Sequence, residues 1–296
     1  MDDKRIGNRY EIMILKEYKM QFAEELASVY DEHEIDSFFY ILLEAFHQMK
    51  RIDLAMNPEM EIDTMQLLQW ETVLAQLKEQ KPIQYILGET EFFGLPFYVN
   101  ENTLIPRPET EELVDWIIQQ SKDESRKSKV KILDIGTGTG CIAISLAKNL
   151  PNAEVYAMDV SEEALMVAKK NATRNGTAVT FLHQSILETD DLLQQFDIIV
   201  SNPPYVRNLE KEEIKKNVLE FEPHLALFVD DHDALLFYRK IAELARKNLS
   251  AKGQLYFEIN QYLGKEMVSL FEEHQFKTIE LRKDIYGNDR MMCGCL

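Results

Sequence analysis

The sequence predicts an α/β fold: a doubly wound, mostly parallel sheet of seven strands with an antiparallel edge, behind a small all-α domain and a β-hairpin connector. Three observations carry that expectation. Strand-like and helix-like segments alternate from Val130 onward. Apolar residues recur at helical spacing before Lys81, as at Leu67, Trp70, Leu74 and Leu77. Between the two blocks, Gly88, Gly94 and Pro96 punctuate short aromatic and β-branched runs.

Taken in order, residues 1–84 form the helical domain, residues 85–106 the connector and residues 107–296 the α/β domain. Asp36 stands before the run Phe38–Phe46 and is the expected N-cap there. Asn57-Pro58 interrupts the pattern, which gives at least three helices before Pro82. A helix spans Glu111–Gln120, and Ser121–Lys129 reads as a polar linker. The strands are Val130–Ile135, Glu154–Asp159, Val179–Leu182, Asp197–Ser201 and Gln254–Ile259. Helices between them include Cys141–Asn149, Glu162–Asn175, Ala234–Leu249 and Leu263–His274. Ser161 caps the second of these and Gly176 stops it. Thr278–Leu281 and Arg290–Cys293 lie too close together for a crossover helix, so they form the antiparallel edge.

Composition sets bounds on function. A chain of 296 residues with 45% hydrophobic content can bury a sizeable core. No apolar stretch is long enough for a membrane helix, and Met1–Arg5 lacks the texture of a signal peptide, so a cytoplasmic protein is expected. Three cysteines argue against a disulfide framework, and Cys293 and Cys295 sit too close together for the usual metal pair, so no metal is expected. The net charge is −18, divided as −8 through residue 88 and −10 beyond it. No basic run appears, which disfavours stable nucleic-acid binding.

A first constellation is Asp134-Ile135-Gly136-Thr137-Gly138-Thr139-Gly140, a buried strand entering a glycine-rich turn and then a helix. Glycines let backbone approach a ligand, and a helix N-terminus suits its negative groups. The spacing is Gly-x-Gly-x-Gly rather than the dinucleotide pattern, because Cys141 stands where the last glycine would be. The second strand ends at Asp159, where a carboxylate can accept both hydrogen bonds of a ribose diol. Together these features imply an adenosine-containing cofactor.

A second constellation, Asn202-Pro203-Pro204-Tyr205, follows the fourth strand. Strand carboxyl ends at the switch point of an open sheet are where ligands bind, so Asn202 falls beside the glycine turn. The residue types suit methylation of a planar NH2. The Asn202 carbonyl and the Pro203 backbone carbonyl can accept its two N–H groups and aim the nitrogen. Proline fixes φ and brings no competing N–H. Tyr205 can pack on a flat amide or ring.

These motifs resemble those of class I S-adenosylmethionine methyltransferases acting on planar amino nitrogens. That group includes DNA adenine and cytosine methyltransferases and the HemK-type (PrmC) glutamine methyltransferases of peptide chain release factors; a DNA or RNA amino-methyltransferase of the adenine N6 type is the alternative reading. Further tracts are similar to the latter: Pro82-Ile83-Gln84-Tyr85-Ile86-Leu87-Gly88, Phe92, Leu104-Ile105-Pro106-Arg107-Pro108-Glu109-Thr110-Glu111, Phe221-Glu222-Pro223 and Tyr286-Gly287-Asn288-Asp289-Arg290. The resemblance implies that S-adenosyl-L-methionine is the cofactor. The implied substrate is the glutamine of the Gly-Gly-Gln loop of class-1 release factors, methylated at N5; separately, a monomer is expected. It implies cofactor contacts from Gly136, Thr137, Gly138, Thr139, Gly140, Asp159, Leu187 and Asn202. Asn202, Pro203, Pro204 and Tyr205 would hold the glutamine. Arg107 and Glu111 are expected either at the rim of the cofactor pocket or in a salt-bridged hinge between domains. After the third strand, Gln184-Ser185-Ile186-Leu187 replaces the acid and aromatic residue of some members, which leaves the adenine contact open between Ser185 and Leu187. The helical domain is expected to grip the substrate protein away from its loop.

Overall fold

The computed structural model describes residues 12–121 and 129–296. Most of the Ser121–Lys129 linker and the Met1–Arg5 terminus lie outside the described residues. Two units divide at Leu87/Gly88.

In the first unit, the helical spacing before Lys81 closes around Trp70. Strand β1 (Met13–Ile14) pairs antiparallel with β2 (Glu61–Ile62), and helices α1 (Leu15–Leu26), α2 (Glu32–His47), α3 (Arg51–Met56), α4 (Thr64–Lys78) and α5 (Ile83–Leu87) complete the unit. Trp70 is fully buried; it stacks on Phe39 at 4.9 Å and meets Tyr18, Phe22 and Phe46 edge-on. Its indole N–H donates to His47 Nε2 at 3.0 Å, which satisfies the polar edge of a buried ring. Burial holds the His47 pKa below its ordinary value, consistent with a neutral, accepting nitrogen.

One sequence expectation fails in this unit. Asp36 does not cap a helix; it lies inside α2 and pairs with Lys19. The cap is Asp31, whose carboxylate accepts the Glu34 N–H at 2.9 Å. The acids Glu32 and Glu34 that follow suit the positive end of the helix, so it begins a turn earlier than its apolar stripe.

The second unit opens with a hairpin, β3 (Glu89–Phe92) and β4 (Leu95–Tyr98), turned by Phe93 and Gly94 with φ of 52° and 69°. Two positive φ values match the right-handed twist of the strands on either side. The α/β succession follows: α6 (Pro108–Ser121), β5 (Lys131–Ile135), α7 (Cys141–Asn149), β6 (Glu154–Asp159), α8 (Glu162–Asn175), β7 (Val179–His183) and β8 (Phe196–Ser201). Beyond β8 come β9 (Val206–Arg207), a 3-10 turn (Asn208–Glu213), α9 (Lys216–Phe221), α10 (His224–Leu227) and β10 (Phe228–Val229). The chain finishes with α11 (Leu236–Asn248), β11 (Leu249–Glu258), α12 (Gly264–Glu273), β12 (Lys277–Lys283) and β13 (Asp289–Cys295).

The main sheet has seven strands in the order β12-β13-β11-β8-β5-β6-β7. Only β13 runs antiparallel to its neighbours, inserted between β11 and the edge strand β12. Strand order reverses at β5, which lies between β8 and β6, so a crevice opens at the carboxyl ends of β5 and β8. Apolar residues cover both faces of the sheet, among them Ile142 and Trp116 on one side and Ile241 and Phe271 on the other. Ser161 caps α8 by accepting the Ala164 N–H, and Gly176 ends that helix at φ 63°.

The hairpin is fastened to α8. Asn171 is fully buried: its carbonyl accepts the Tyr98 N–H at 2.7 Å, and its amide donates to Tyr98 O and Thr139 O. Asn175 adds a bond to Pro96 O, and Arg174 pairs with Glu89 at 2.8 Å. One asparagine thereby links hairpin, helix and glycine turn.

Candidate active site

The crevice holds a cavity of about 300 Å³. Its floor is the strand ends, Ile135 of β5 with Gly136 after it, and Ser201 of β8 with Asn202 to Pro204 after it. One wall is Met158 to Ser161, with Gln184 and Ile186 beyond it. The others are the loop Glu101–Leu104 and the tract Pro223–Ala226, backed by Phe237 and Ile241 of α11.

The glycine turn owes its shape to its sequence. Gly136, Gly138 and Gly140 have φ of 72°, 54° and 81°, in the region that disfavours side chains. Gly136 and Gly138 face the cavity, and a Cβ on either would meet no protein atom within 4 Å. That space beside bare backbone is what a ligand can fill. Gly140 serves packing instead: a Cβ there would stand 2.9 Å from Ile144 Cδ1 and 3.2 Å from Ala168 Cβ. Thr137 and Thr139 are buried and line no part of the cavity; the Thr137 hydroxyl donates to Asp134 at 2.6 Å.

Two carboxylates brace the turn. Asp134 is fully buried, its pKa pushed up to about 7 by desolvation against the opposing hydrogen bond of Thr137. Its Oδ1 is buried with no hydrogen-bond partner among the described residues. Asp159 Oδ2 accepts the Gly138 N–H at 2.8 Å, and Oδ1 accepts the Ser161 N–H at 3.0 Å. Each oxygen retains a lone pair, so the carboxylate can also accept a diol. Desolvation raises its pKa, and these backbone donors oppose that rise. Open space beside the glycine backbone and an acid at the end of β6 fit an adenosine-containing cofactor.

Asn202 and Pro203 follow β8 directly, and the Ser201 hydroxyl ties the two strand ends together by donating to Ile135 O at 2.7 Å. Asn202, Pro203 and Pro204 line the cavity. The Asn202 amide makes no hydrogen bond to another described residue, so its carbonyl is available to a ligand. Tyr205 does not line the cavity; its hydroxyl donates to Glu258 Oε1 at 3.2 Å, and its backbone carbonyl accepts from Asn260. Burial and the neighbouring Glu258 push its phenol upward, so it stays protonated.

The sequence-predicted set is thus brought together in part. Gly136, Gly138, Asp159, Asn202, Pro203 and Pro204 share one cavity, while Thr137, Thr139, Gly140 and Tyr205 do not line it. Leu187 is exposed and off the wall; Ile186 and Gln184 occupy it instead. Arg107 and Glu111 are not on the wall either. Arg107 pairs with the buried Glu222 at 2.6 Å, and Glu111 accepts the Phe93 N–H at the hairpin turn. Both bonds lie within the second unit. The loop Glu101–Leu104 and the α11 residues Phe237 and Ile241 escaped sequence reasoning, because apolar helix spacing reads the same whether a side chain meets core or cavity.

Comparison with known proteins follows the same division. The PrmC N-terminal domain family matches residues 18–88, and the Methyltransferase small domain family matches residues 117–223. The chain is 70% identical to the release factor glutamine methyltransferase of Flavobacterium psychrophilum, across 95% of this chain and 98% of that one. It is 44% identical to the protein of that description from Bacteroides thetaiotaomicron, across 91% and 95%. Among solved structures, the hMettl16 catalytic domain in complex with MAT2A 3'UTR hairpin 6 shares the fold, with a TM-score of 0.51 at 17% identity over 69% of this chain and 75% of that one.

Proposed function

The chain belongs to the release factor glutamine methyltransferases, and from that premise we propose how its own residues carry out methylation of a glutamine side-chain amide. S-adenosyl-L-methionine is the cofactor; when bound it supplies a methyl group on a positively charged sulfur. Gly136 and Gly138, whose N–H groups are taken by Met158 O and Asp159, would let it pack against their bare backbone, Asp159 would hold it by its remaining lone pairs, and Ile186 by apolar contact.

The reacting glutamine presents a planar NH2 whose lone pair is delocalised into its carbonyl. Asn202 Oδ1 and the Pro203 carbonyl would accept its two N–H groups. These acceptors orient the nitrogen and favour the positive charge that develops on it. No strong base is needed, since alkylation makes the remaining N–H acidic. Pro204 and Phe237 add apolar surface to the cavity beside the reacting atoms.

One observation carries this reading: Asn202, whose side chain makes no hydrogen bond among the described residues, faces the cavity that the glycine turn opens. We read the substrate as a class-1 peptide chain release factor and the residue as the glutamine of its Gly-Gly-Gln loop, encountered in the cytoplasm by a monomer. Incubation with methyl-labelled cofactor and release factor, followed by fragment mass spectrometry, tests this. The label should sit on that glutamine's amide nitrogen. Label on any other residue, or on nucleic acid alone, would refute it. The helical unit is read as a grip on the substrate protein, so KM for the intact factor should lie well below KM for a short Gly-Gly-Gln peptide. Equal values would remove that role.

A further inference from the structure

Glu258 ends β11, beside the end of β8, and is 2% exposed. A carboxyl group placed so deep carries a desolvation cost that only hydrogen bonds to its oxygens offset. Its oxygens are divided between two hydroxyls. Oε2 accepts the Thr110 hydroxyl at 2.6 Å, and Oε1 accepts the Tyr205 hydroxyl at 3.2 Å. Thr110 is itself buried in the first turn of α6, within the Arg107–Glu111 tract for which the reaction has no direct use.

Tyr205 is the last residue of the loop whose Asn202 and Pro203 face the cavity. The chain beyond it is held as well: Asn260, two residues past Glu258, donates to the Tyr205 carbonyl at 3.1 Å and to the Glu210 carboxylate. The end of β11 therefore grips Tyr205 at both its hydroxyl and its backbone. Proline fixes φ at two positions of the loop but leaves ψ free, so an anchor at its far end decides where the carbonyls point.

We propose that Glu258 is a positioning residue for methyl transfer, holding Tyr205 by its hydroxyl so that Asn202 and Pro203 keep their aim, with Thr110 fixing the carboxylate from α6. The proposal rests on the reading that these two residues accept the glutamine amide. It gives the Arg-Pro-Glu-Thr-Glu tract a task, since Thr110 fastens α6 to the catalytic loop through one buried oxygen pair. Glu258 touches no reacting atom. Its effect travels through one hydroxyl, and that makes it separable by experiment.

The test is a double-mutant cycle in the full-length enzyme with release factor as substrate. Glu258→Leu and Tyr205→Phe are made singly and together. Read kcat, KM and the cofactor dissociation constant. Each single change should lower kcat by about tenfold or more, the scale of a hydrogen bond to a charged group. The cofactor constant should move less than about threefold. The double variant should be no slower than the slower single, because one contact is removed twice. Multiplying effects, or an unchanged kcat in folded Tyr205→Phe, would overturn the proposal. If Glu258→Leu does not fold, Thr110→Val gives the second arm: a kcat loss that disappears in the Tyr205→Phe background supports the proposal, and a loss that persists there counts against it. Asn202→Ala serves as a separate control. Should that variant keep the native rate, the underlying reading has failed, whatever the cycle shows.

Discussion

Arg107 donates to Glu222 at 2.6 Å across 115 residues of sequence, and the same buried carboxylate accepts the Ile105 N–H. Two loops that wall the cavity, Glu101–Leu104 and Pro223–Ala226, are thereby joined one residue from their ends. Arg107 is one-third exposed while Glu222 is 1% exposed, so removing the cation strands a desolvated anion. Arg107→Ala is expected to destabilise the protein by about 2 kcal/mol, less than a fully buried pair would lose. It should also weaken cofactor binding by about tenfold. Thermal melting and calorimetric titration check both outcomes; native affinity with a lowered melting temperature would show that the clamp does not shape the cavity.

The glycine turn divides into a binding part and a packing part. Gly138→Ala places a Cβ in open cavity space, whereas Gly140→Ala drives one against Ile144. Both residues hold positive φ, so each substitution carries about 1–2 kcal/mol of backbone strain. Beyond that shared cost the effects should separate. Gly138→Ala should raise the cofactor dissociation constant at least about tenfold. Gly140→Ala should lose about 1–3 kcal/mol more stability through overpacking. Parallel denaturation and binding curves for the two variants decide it.

His47 gives the helical unit a pH dependence of known sign. Its nitrogen accepts the Trp70 N–H, which requires neutral imidazole, and burial depresses its pKa in the folded state. The unfolded chain then binds the proton more readily than the folded one. Stability from this contact is present above the unfolded value, about 6.5, and is lost as pH falls toward the depressed folded value. In a Trp116→Phe background, leaving Trp70 as the lone tryptophan, its fluorescence should report an earlier melt at pH 5 than at pH 7.5. His47→Gln should flatten that difference. An equal pH response in both forms would place its origin elsewhere.

Asp134 bends stability in the opposite direction. Its folded pKa, about 7, lies above that of an exposed aspartate, so the folded state keeps a proton that the unfolded state has released. The contribution is neutral at low pH and becomes unfavourable as pH rises from about 4 to about 7. Asp134→Asn should therefore stabilise the cofactor-free enzyme more at pH 8 than at pH 5, measured by denaturant midpoint. A benefit independent of pH would mean that this carboxylate does not titrate as its burial demands.

Much of this architecture was legible before any coordinates. Helix α8 carries its own cap and stop in Ser161 and Gly176, and α7 and β6 their periodicity, so the bounds of all three could be read directly. The glycine turn and Asn202 could be placed side by side because parallel strands converge at a switch point. Contacts between distant segments were not legible. No local pattern tells that Thr110 and Tyr205 meet at Glu258, or that Asn171 bridges Tyr98 and Thr139. Asp36 misled for a related reason: a cap is defined by a backbone N–H three residues on, and Asp31 offered the better geometry. Leu187 gave way to Ile186 on the cavity wall because the chain leaves β7 in a turn, where strand alternation no longer says which side chain points inward.

The proposed methyl transfer depends on the side-chain carbonyl of Asn202, which accepts no hydrogen bond among the described residues. Its most direct test is single-turnover methyl transfer to release factor by the Asn202→Ala enzyme at saturating cofactor, beside a measured cofactor dissociation constant. The expected result is a rate lower by about 10²–10³-fold, the scale of losing one preorganised polar contact at a reacting atom, with cofactor affinity within about threefold of native. A native rate from that variant would contradict it.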